Sequence, residues 1–257
     1  LIVVTGLSFG LRFWQLGQFN DFVFDEVYFA HFAQLYLSGE SFFDAHPPLG
    51  KYLIAAGIWL STHNPWSGVD TLNAVFSAHP ISYRWMNALV GSCVPLLVFA
   101  IARSLSPSQS TGQATARTPS KTHIFALLAG SFVAIDGLFI VESRYALLNI
   151  YVVFFVLLAH WLWLLSNCGN KRDFSAEKKQ QNCLRQNRLR VFAGIALGAA
   201  IATKWNGAGY GLSLAIWEIQ QRKSSSLLKR WKPVAIKSIL YLVLILTCTF
   251  ALMWLPH

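Results

Sequence analysis

Four stretches of this chain, residues 81–102, 122–141, 146–166 and 234–255, stay apolar for about the 20 residues that a helix needs to cross the hydrocarbon core of a bilayer. A fifth apolar run, LIVVTGLSFGL, opens the sequence. Runs of this kind call for an all-α polytopic membrane protein, because lipid offers backbone amides no partner outside the segment itself. Composition agrees: 54% of the residues are hydrophobic, mean hydropathy is +0.45 and 12% are charged, against about 25% in soluble domains. The start lacks Met, the sequence stops at FALMWLPH, and no charged region or cleavage site marks a signal peptide. Both ends therefore read as cut from a longer polytopic chain. A net charge of +10 would suit a nucleic-acid binder, but the basic residues are confined to particular loops, as in the cytoplasmic loops of membrane proteins, and nucleic acid is set aside on that ground. Cys93 and Cys248 lie in apolar runs, Cys168 and Cys183 in one basic loop, and none has metal-ligand spacing. All four are expected to remain thiols.

Charge then sets the topology. Arg103, Arg117 and Lys121 share a stretch with no acid, residues 167–190 hold seven basic residues against Asp173 and Glu177, and 222–237 hold six against none. Loops at 104–120, 167–190 and 222–233 are therefore expected to be cytoplasmic. Between two of them, residues 122–166 form a hairpin whose outer turn carries Asp136, Glu142 and Arg144. The 31 residues from 191 to 221 must also go out and return, yet they are too few for two full spans. Short or broken helices turning near TKWNGAGYG are predicted there, with Lys204 and Trp205 outward and a polar cavity to accommodate the irregular backbone. The count comes to about seven spans, with residues 18–80 as one long first extracytoplasmic loop. Within it PPLGKYLIAAGIWLST is too short to cross, and the spacing of Leu49, Tyr52, Leu53, Ala56 and Leu60 predicts an amphipathic helix lying at the interface. Eight of the eleven acids fall on the outer side, where they meet Lys51, Arg84, Arg144 and Lys204.

The loop's polar residues each have a plain reading beside a chemical one. Phe24, Tyr28, Phe32 and Leu35 predict one face of a helix ending at Ser38-Gly39, which places Asp25 and Glu26 at its start. There they could cap the helix and offset its dipole, or a carboxylate could serve as general base toward an alcohol nucleophile. In DAHPPLGK, Pro47 holds His46 extended and Pro48 suits the first helical turn. His46 and Lys51 then sit at a rigid corner, as site residues or as a turn with a snorkelling lysine. Arg84 and Arg144 either anchor at the interface or clamp a phosphate at headgroup depth. Lys204, among small and apolar residues, calls for an anionic partner. His31, His63, His79, His123 and His160 lack ligand-like spacing and read as structural or interfacial.

FDEVYFAHFAQLYLSGESFFDAHPPLGKYLIA resembles the first outer loop of the protein O-mannosyltransferases, membrane glycosyltransferases of the GT-C fold. YRWMNALVGSCVPLLVFAIAR, ESRYALLNIY and GIALGAAIATKWNG resemble that family's next signatures, in the same order, so the likeness covers most of the chain as the N-terminal half of such an enzyme. The whole of 1–257 would then be one GT-C transmembrane domain. The resemblance implies transfer of mannose, with inversion, from a polyprenyl-phosphate carrier in the membrane lipid to Ser or Thr hydroxyls of secreted or translocating proteins. It places the reaction at the extracytoplasmic face of a bacterial plasma membrane or the lumenal face of the endoplasmic reticulum, in association with the translocation machinery. It implies Asp25 as general base with Glu26 organising the site, His46 and Lys51 within the HPPLGK segment, and a functional Arg84. Topology extends the substrate-binding set to Arg144 and Lys204. One departure is Asn149, where an acid would often be expected. No cofactor or tight metal site is called for, although a loosely bound divalent cation stays compatible. The rivals are a glycosyltransferase of the same fold with a lipid or glycan acceptor, and a secondary transporter. Against the transporter, the charges gather at one membrane face and no inverted repeat is visible.

Overall fold

The computed structural model describes residues 1–63, 79–105, 119–167, 176–223 and 247–254, and all its regular structure is helical. The elements are α1 (Ile2–Phe13), α2 (Glu26–Ser38), α3 (Leu49–Thr62), α4 (Ile81–Ser104), α5 (Pro119–Ile135), α6 (Gly137–Arg144), α7 (Asn149–Asn167), α8 (Ala176–Thr203) and α9 (Gly207–Lys223). Helix α4 is the hub. It packs against α1, α3, α5, α6 and α7, while α8 lies along α7 and meets α3 and α9. Small residues permit the closest approaches, as they do between helices in membranes: a Cβ added to Gly91 would lie 2.1 Å from Ser143 Cβ, and one on Gly130 would lie 3.1 Å from the Pro95 carbonyl oxygen.

By length and composition, α4 and α7 can each cross a membrane, and α5 with α6 makes a third span if the pair is taken as one broken helix. The continuous span expected over 122–141 is in fact bent by 57°. Asp136 causes the break: its backbone is extended (ψ 124) and its side chain accepts a hydrogen bond from Phe139 N at 3.0 Å, which caps a new helix rather than continuing the old one. Of the run at 234–255 only 247–254 lies among the described residues, and it is helical through Trp254. The basic stretch expected as a loop is helical from Ala176 onward, continuous with the apolar half of α8.

The loop helices form where expected, and each buries small and charged residues alongside apolar ones. Helix α2 ends at Gly39, whose φ of 74 is a left-handed cap that glycine adopts without cost. Its buried residues are Glu26, Phe29, Ala30 and Ala33, whereas Phe24 and Tyr28 are exposed. Helix α3 buries Gly50, Lys51, Ile54, Ala55, Gly57 and Ile58, and Leu53 of the predicted stripe packs against the same core. Close approach sets how α3 sits: a Cβ on Gly50 would lie 2.6 Å from Leu148 and 3.0 Å from Thr203, so α3 is wedged against the residue that precedes α7 and the end of α8.

A turn between two helices does fall at TKWNG, as the shortness of 191–221 predicted, although α8 is one continuous helix of 28 residues rather than a short one. Helix α8 stops at Thr203 and α9 begins at Gly207, and a Cβ on Gly207 would meet the Ala200–Ile201 backbone at 2.7 Å. Only a glycine lets the returning helix start that close.

Candidate active site

Asp25 and Glu26 are adjacent in sequence and opposite in environment. Glu26 is fully buried. Its Oε1 accepts from Arg84 Nε at 2.8 Å and from Ala146 N at 2.8 Å, and its Oε2 accepts from Arg84 Nη2 at 2.7 Å and from Val23 N at 3.1 Å. Arg84, also fully buried, adds donations to the carbonyls of Phe19 at 2.5 Å and Asp21 at 2.8 Å, and its plane lies against the rings of Tyr83 and Tyr145. This two-pronged pair ties the loop ahead of α2 to α4 and to the α6–α7 junction. Asp25 is exposed, and although it stands at the N-cap position its side chain makes no capping hydrogen bond. Just before it Phe24 holds a φ of 53, an uncommon conformation for a residue with a bulky side chain. The carboxylate at residue 25 is thus presented outward by a turn whose geometry Glu26 and Arg84 hold.

Arg84 and Arg144, expected as a phosphate clamp, do line one cavity of about 450 Å³ together with Gln15, Gln18, Phe19 and Tyr145. Their donors, however, are largely engaged. Four of the five N–H groups of Arg84 have the acceptors just named. Arg144 donates to the carbonyls of Leu11 (2.9 Å), Trp14 (2.6 Å) and Gln15 (3.2 Å), closing the C-terminal end of α1 where helical carbonyls lack partners.

Lys51 is also turned inward. Its fully buried ammonium donates to Asp44 Oδ2 at 2.5 Å and to the His46 carbonyl at 2.9 Å, and it lies over the rings of Phe32 and Phe42 at 5.6 and 5.5 Å. Burial lowers its pKa, and the Asp44 carboxylate works against that shift. The corner that the two prolines begin is therefore locked by an ion pair. The half-buried His46 ring packs against Phe29 at 5.9 Å, one turn along α2 from Asp25. Trp205 Nε1 donates to the Ala45 carbonyl at 3.0 Å, which brings the α8–α9 turn onto the same corner.

Lys204 donates to Asn149 Oδ1 at 3.0 Å, and Asn149 Nδ2 donates to Glu142 Oε1 at 3.1 Å. A neutral amide therefore stands between the ammonium and the carboxylate. Glu142 Oε2 is buried without a partner among the described residues. The segment ESRYALLNIY collects these contacts: Glu142 and Asn149 reach Lys204, Arg144 holds α1, and Ala146 N holds Glu26. The Leu147 carbonyl accepts from Asn87 Nδ2 at 2.7 Å, and Tyr151 donates to Asn87 Oδ1 at 2.6 Å. Residues 145–148 are not helical, and the Ala146 amide and Leu147 carbonyl buried there find side-chain partners, as buried backbone must.

Asn87, Tyr151 and the buried Arg12, which reaches the Ala134 carbonyl at 3.2 Å, escaped the sequence reading. Two of them carried a signal: an asparagine and an arginine inside otherwise apolar helices are costly unless paired. Among the described residues no three His, Cys, Asp or Glu side chains converge as a metal site requires.

The family model for dolichyl-phosphate-mannose-protein mannosyltransferases matches residues 2–116 and 113–257, which is nearly the whole chain. The chain belongs to that family. Among curated mannosyltransferase relatives, dolichyl-phosphate-mannose–protein mannosyltransferase 4 of Saccharomyces cerevisiae is 26% identical over 89% of this chain and 28% of its own length. The polyprenol-phosphate-mannose–protein mannosyltransferase of Mycolicibacterium smegmatis is 28% identical over 90% of this chain and 43% of its own. The S. cerevisiae Pmt1–Pmt2 complex, solved with its sugar donor, contains a chain with the same fold: TM-score 0.73 at 22% identity, covering 98% of this chain and 32% of that one. This family member thus spans well under half the length of these relatives.

Proposed function

We propose that the chain forms the N-terminal catalytic part of an inverting mannosyltransferase that moves mannose from a polyprenyl-phosphate carrier to Ser or Thr hydroxyls of proteins at the extracytoplasmic face. The observation that carries this reading is the division of labour between Asp25 and Glu26. One carboxylate is saturated by Arg84 and two backbone amides, and its neighbour is left open at the start of α2, the helix whose Phe29 meets His46 at the corner that Trp205 holds through Ala45. Asp25 takes the proton from the acceptor hydroxyl as its oxygen bonds to the anomeric carbon. The bond from that carbon to the phosphate oxygen breaks on the opposite face, and the electron pair leaves with the phosphate, which accounts for inversion. Glu26, Arg84 and Lys51 act through position, since their own contacts are nearly filled. Lys204, and Arg144 at the cavity, supply positive charge toward the leaving phosphate, and His46 forms part of the donor wall. The remaining spans of the seven-span scheme, the outer placement of 18–80 and contact with the translocation machinery belong to the same reading.

Two measurements test it. Lys204 has a neutral amide rather than a carboxylate as its partner, so Lys204→Met should leave thermal stability near wild type while weakening the Kd for polyprenyl-phosphate mannose by a few kcal/mol, the range for losing one member of a buried charge pair. Unchanged donor affinity would remove Lys204 from the phosphate site. The orientation rests on Cys183, an exposed thiol in the basic part of α8. It should react with an impermeant thiol reagent only after the membrane is opened, and labelling of sealed, right-side-out vesicles would invert the scheme.

A further inference from the structure

The end of the bundle away from Asp25 holds a second cleft that the proposed reaction does not use. It has a volume of about 240 Å³, lies between the last turns of α4 and α7, and is lined by Phe99, Ala100, Arg103, Ser104, Trp161 and Leu165. Nineteen helical residues separate Arg84 from Arg103, about 28 Å at the helical rise, which matches the hydrocarbon thickness of a bilayer. With Arg84 at one face, Arg103 stands at headgroup depth in the opposite leaflet. Arg103 is exposed and makes no side-chain hydrogen bond or ion pair among the described residues. Phe99 lies one turn deeper, and with Trp161 and Leu165 it forms an apolar slot below the guanidinium. Ser104 Oγ is turned back to the Ala100 carbonyl at 2.8 Å, which leaves Arg103 as the polar recognition element. Residues 98–105 and 156–167 contain no acid, and nearby Arg190 stacks on Trp163 at 5.7 Å and reaches Asn167 at 3.4 Å.

We infer that this cleft binds one anionic phospholipid of the leaflet on the basic side, its phosphate on Arg103 and an acyl chain along Phe99, Trp161 and Leu165. The charge is complementary, the depth is that of a headgroup, and the walls below are apolar. The inference rests on α4 and α7 being membrane spans, and not on the identity of the reaction.

Native mass spectrometry of the full-length protein, delipidated and titrated with phosphatidylglycerol or phosphatidylcholine, tests it. Wild type should hold one phosphatidylglycerol about fivefold more tightly than Arg103→Gln does, the scale of one basic contact to an anionic lipid. Arg103→Lys should recover most of the difference, and Trp161→Ala should lose affinity for both lipids. Equal retention of the two lipids by wild type, or an unchanged preference in Arg103→Gln, would overturn the proposal. Displacement of the bound lipid by polyprenyl phosphate alone would also overturn it, since the cleft would then serve the donor. Donor Kd, measured on the same Arg103→Gln sample, should stay at the wild-type value, which separates this site from the proposed reaction site.

Discussion

Asp25→Asn is expected to lower mannose transfer by about 100-fold or more, the usual range for removing a general base, with thermal stability and donor Kd close to wild type. Asparagine keeps the size of the side chain and its ability to accept hydrogen bonds, so only basicity is lost. The competing explanation, that Asp25 is a helix cap, makes the opposite forecast. A cap lost in Asp25→Ala would cost about 1 kcal/mol of stability and leave turnover intact. The exposed Asp25 carboxylate makes no capping bond, so Asp25→Ala should show the catalytic loss and almost none of the stability loss. Turnover of a Ser/Thr peptide by the full-length enzyme decides between them, and near-wild-type rates in Asp25→Asn would end the general-base assignment.

Arg84→Met should be the most destabilising single change in the loop region. It strips Glu26 of two of its four hydrogen bonds and leaves a fully buried carboxylate without a counter-charge, a situation that costs about 3–5 kcal/mol. The carbonyls of Phe19 and Asp21 lose their donor as well. Arg84→Lys should recover only part of the loss, because an ammonium cannot form both prongs to Glu26 and reach the two carbonyls. Thermal unfolding together with proteolysis between residues 18 and 26 reads the effect. Because Arg84 acts through the loop, the double variant Glu26→Met with Arg84→Met should be less destabilised than the sum of the two single changes. Additive losses would mean that the two residues are energetically independent despite their contact.

The sequence made some of this visible because some constraints are local or arithmetic. The stop of α2 at Gly39, the corner at Pro47-Pro48 and the short hairpin at Lys204 follow from a left-handed cap, a fixed φ and a chain too short to cross twice. Family membership was legible in four motifs. What escaped was which way things point. Around these helices the exposed surface is itself rich in Phe, Trp, Leu and Ile, so apolar spacing alone does not say which side of a helix meets the core. Helices α2 and α3 bury Ala, Gly, Glu26 and Lys51 together with Phe29, Ile54 and Ile58, and leave Tyr28 outside. The separation of Asp25 from Glu26 depends on Ala146, whose backbone amide carries no sequence signal. The break at Asp136 was hidden because one acid in an apolar run reads equally well as a loop residue or a cap.

The reach of the contacts that fix the loop bears on how the protein is made. Glu26 waits 58 residues for Arg84 and 120 for Ala146, and Ala45 waits 160 for Trp205. At about 5–20 residues per second of synthesis, the Ala146 amide emerges about 6–24 s after Glu26, and Trp205 about 8–32 s after Ala45. Until Arg84 arrives the Glu26 carboxylate has no counter-charge to offset its desolvation, and its last partner, the Ala146 amide, comes later still. A nascent chain halted before residue 84 therefore already contains the whole FDEVYF stretch but lacks the arginine that holds the turn presenting Asp25.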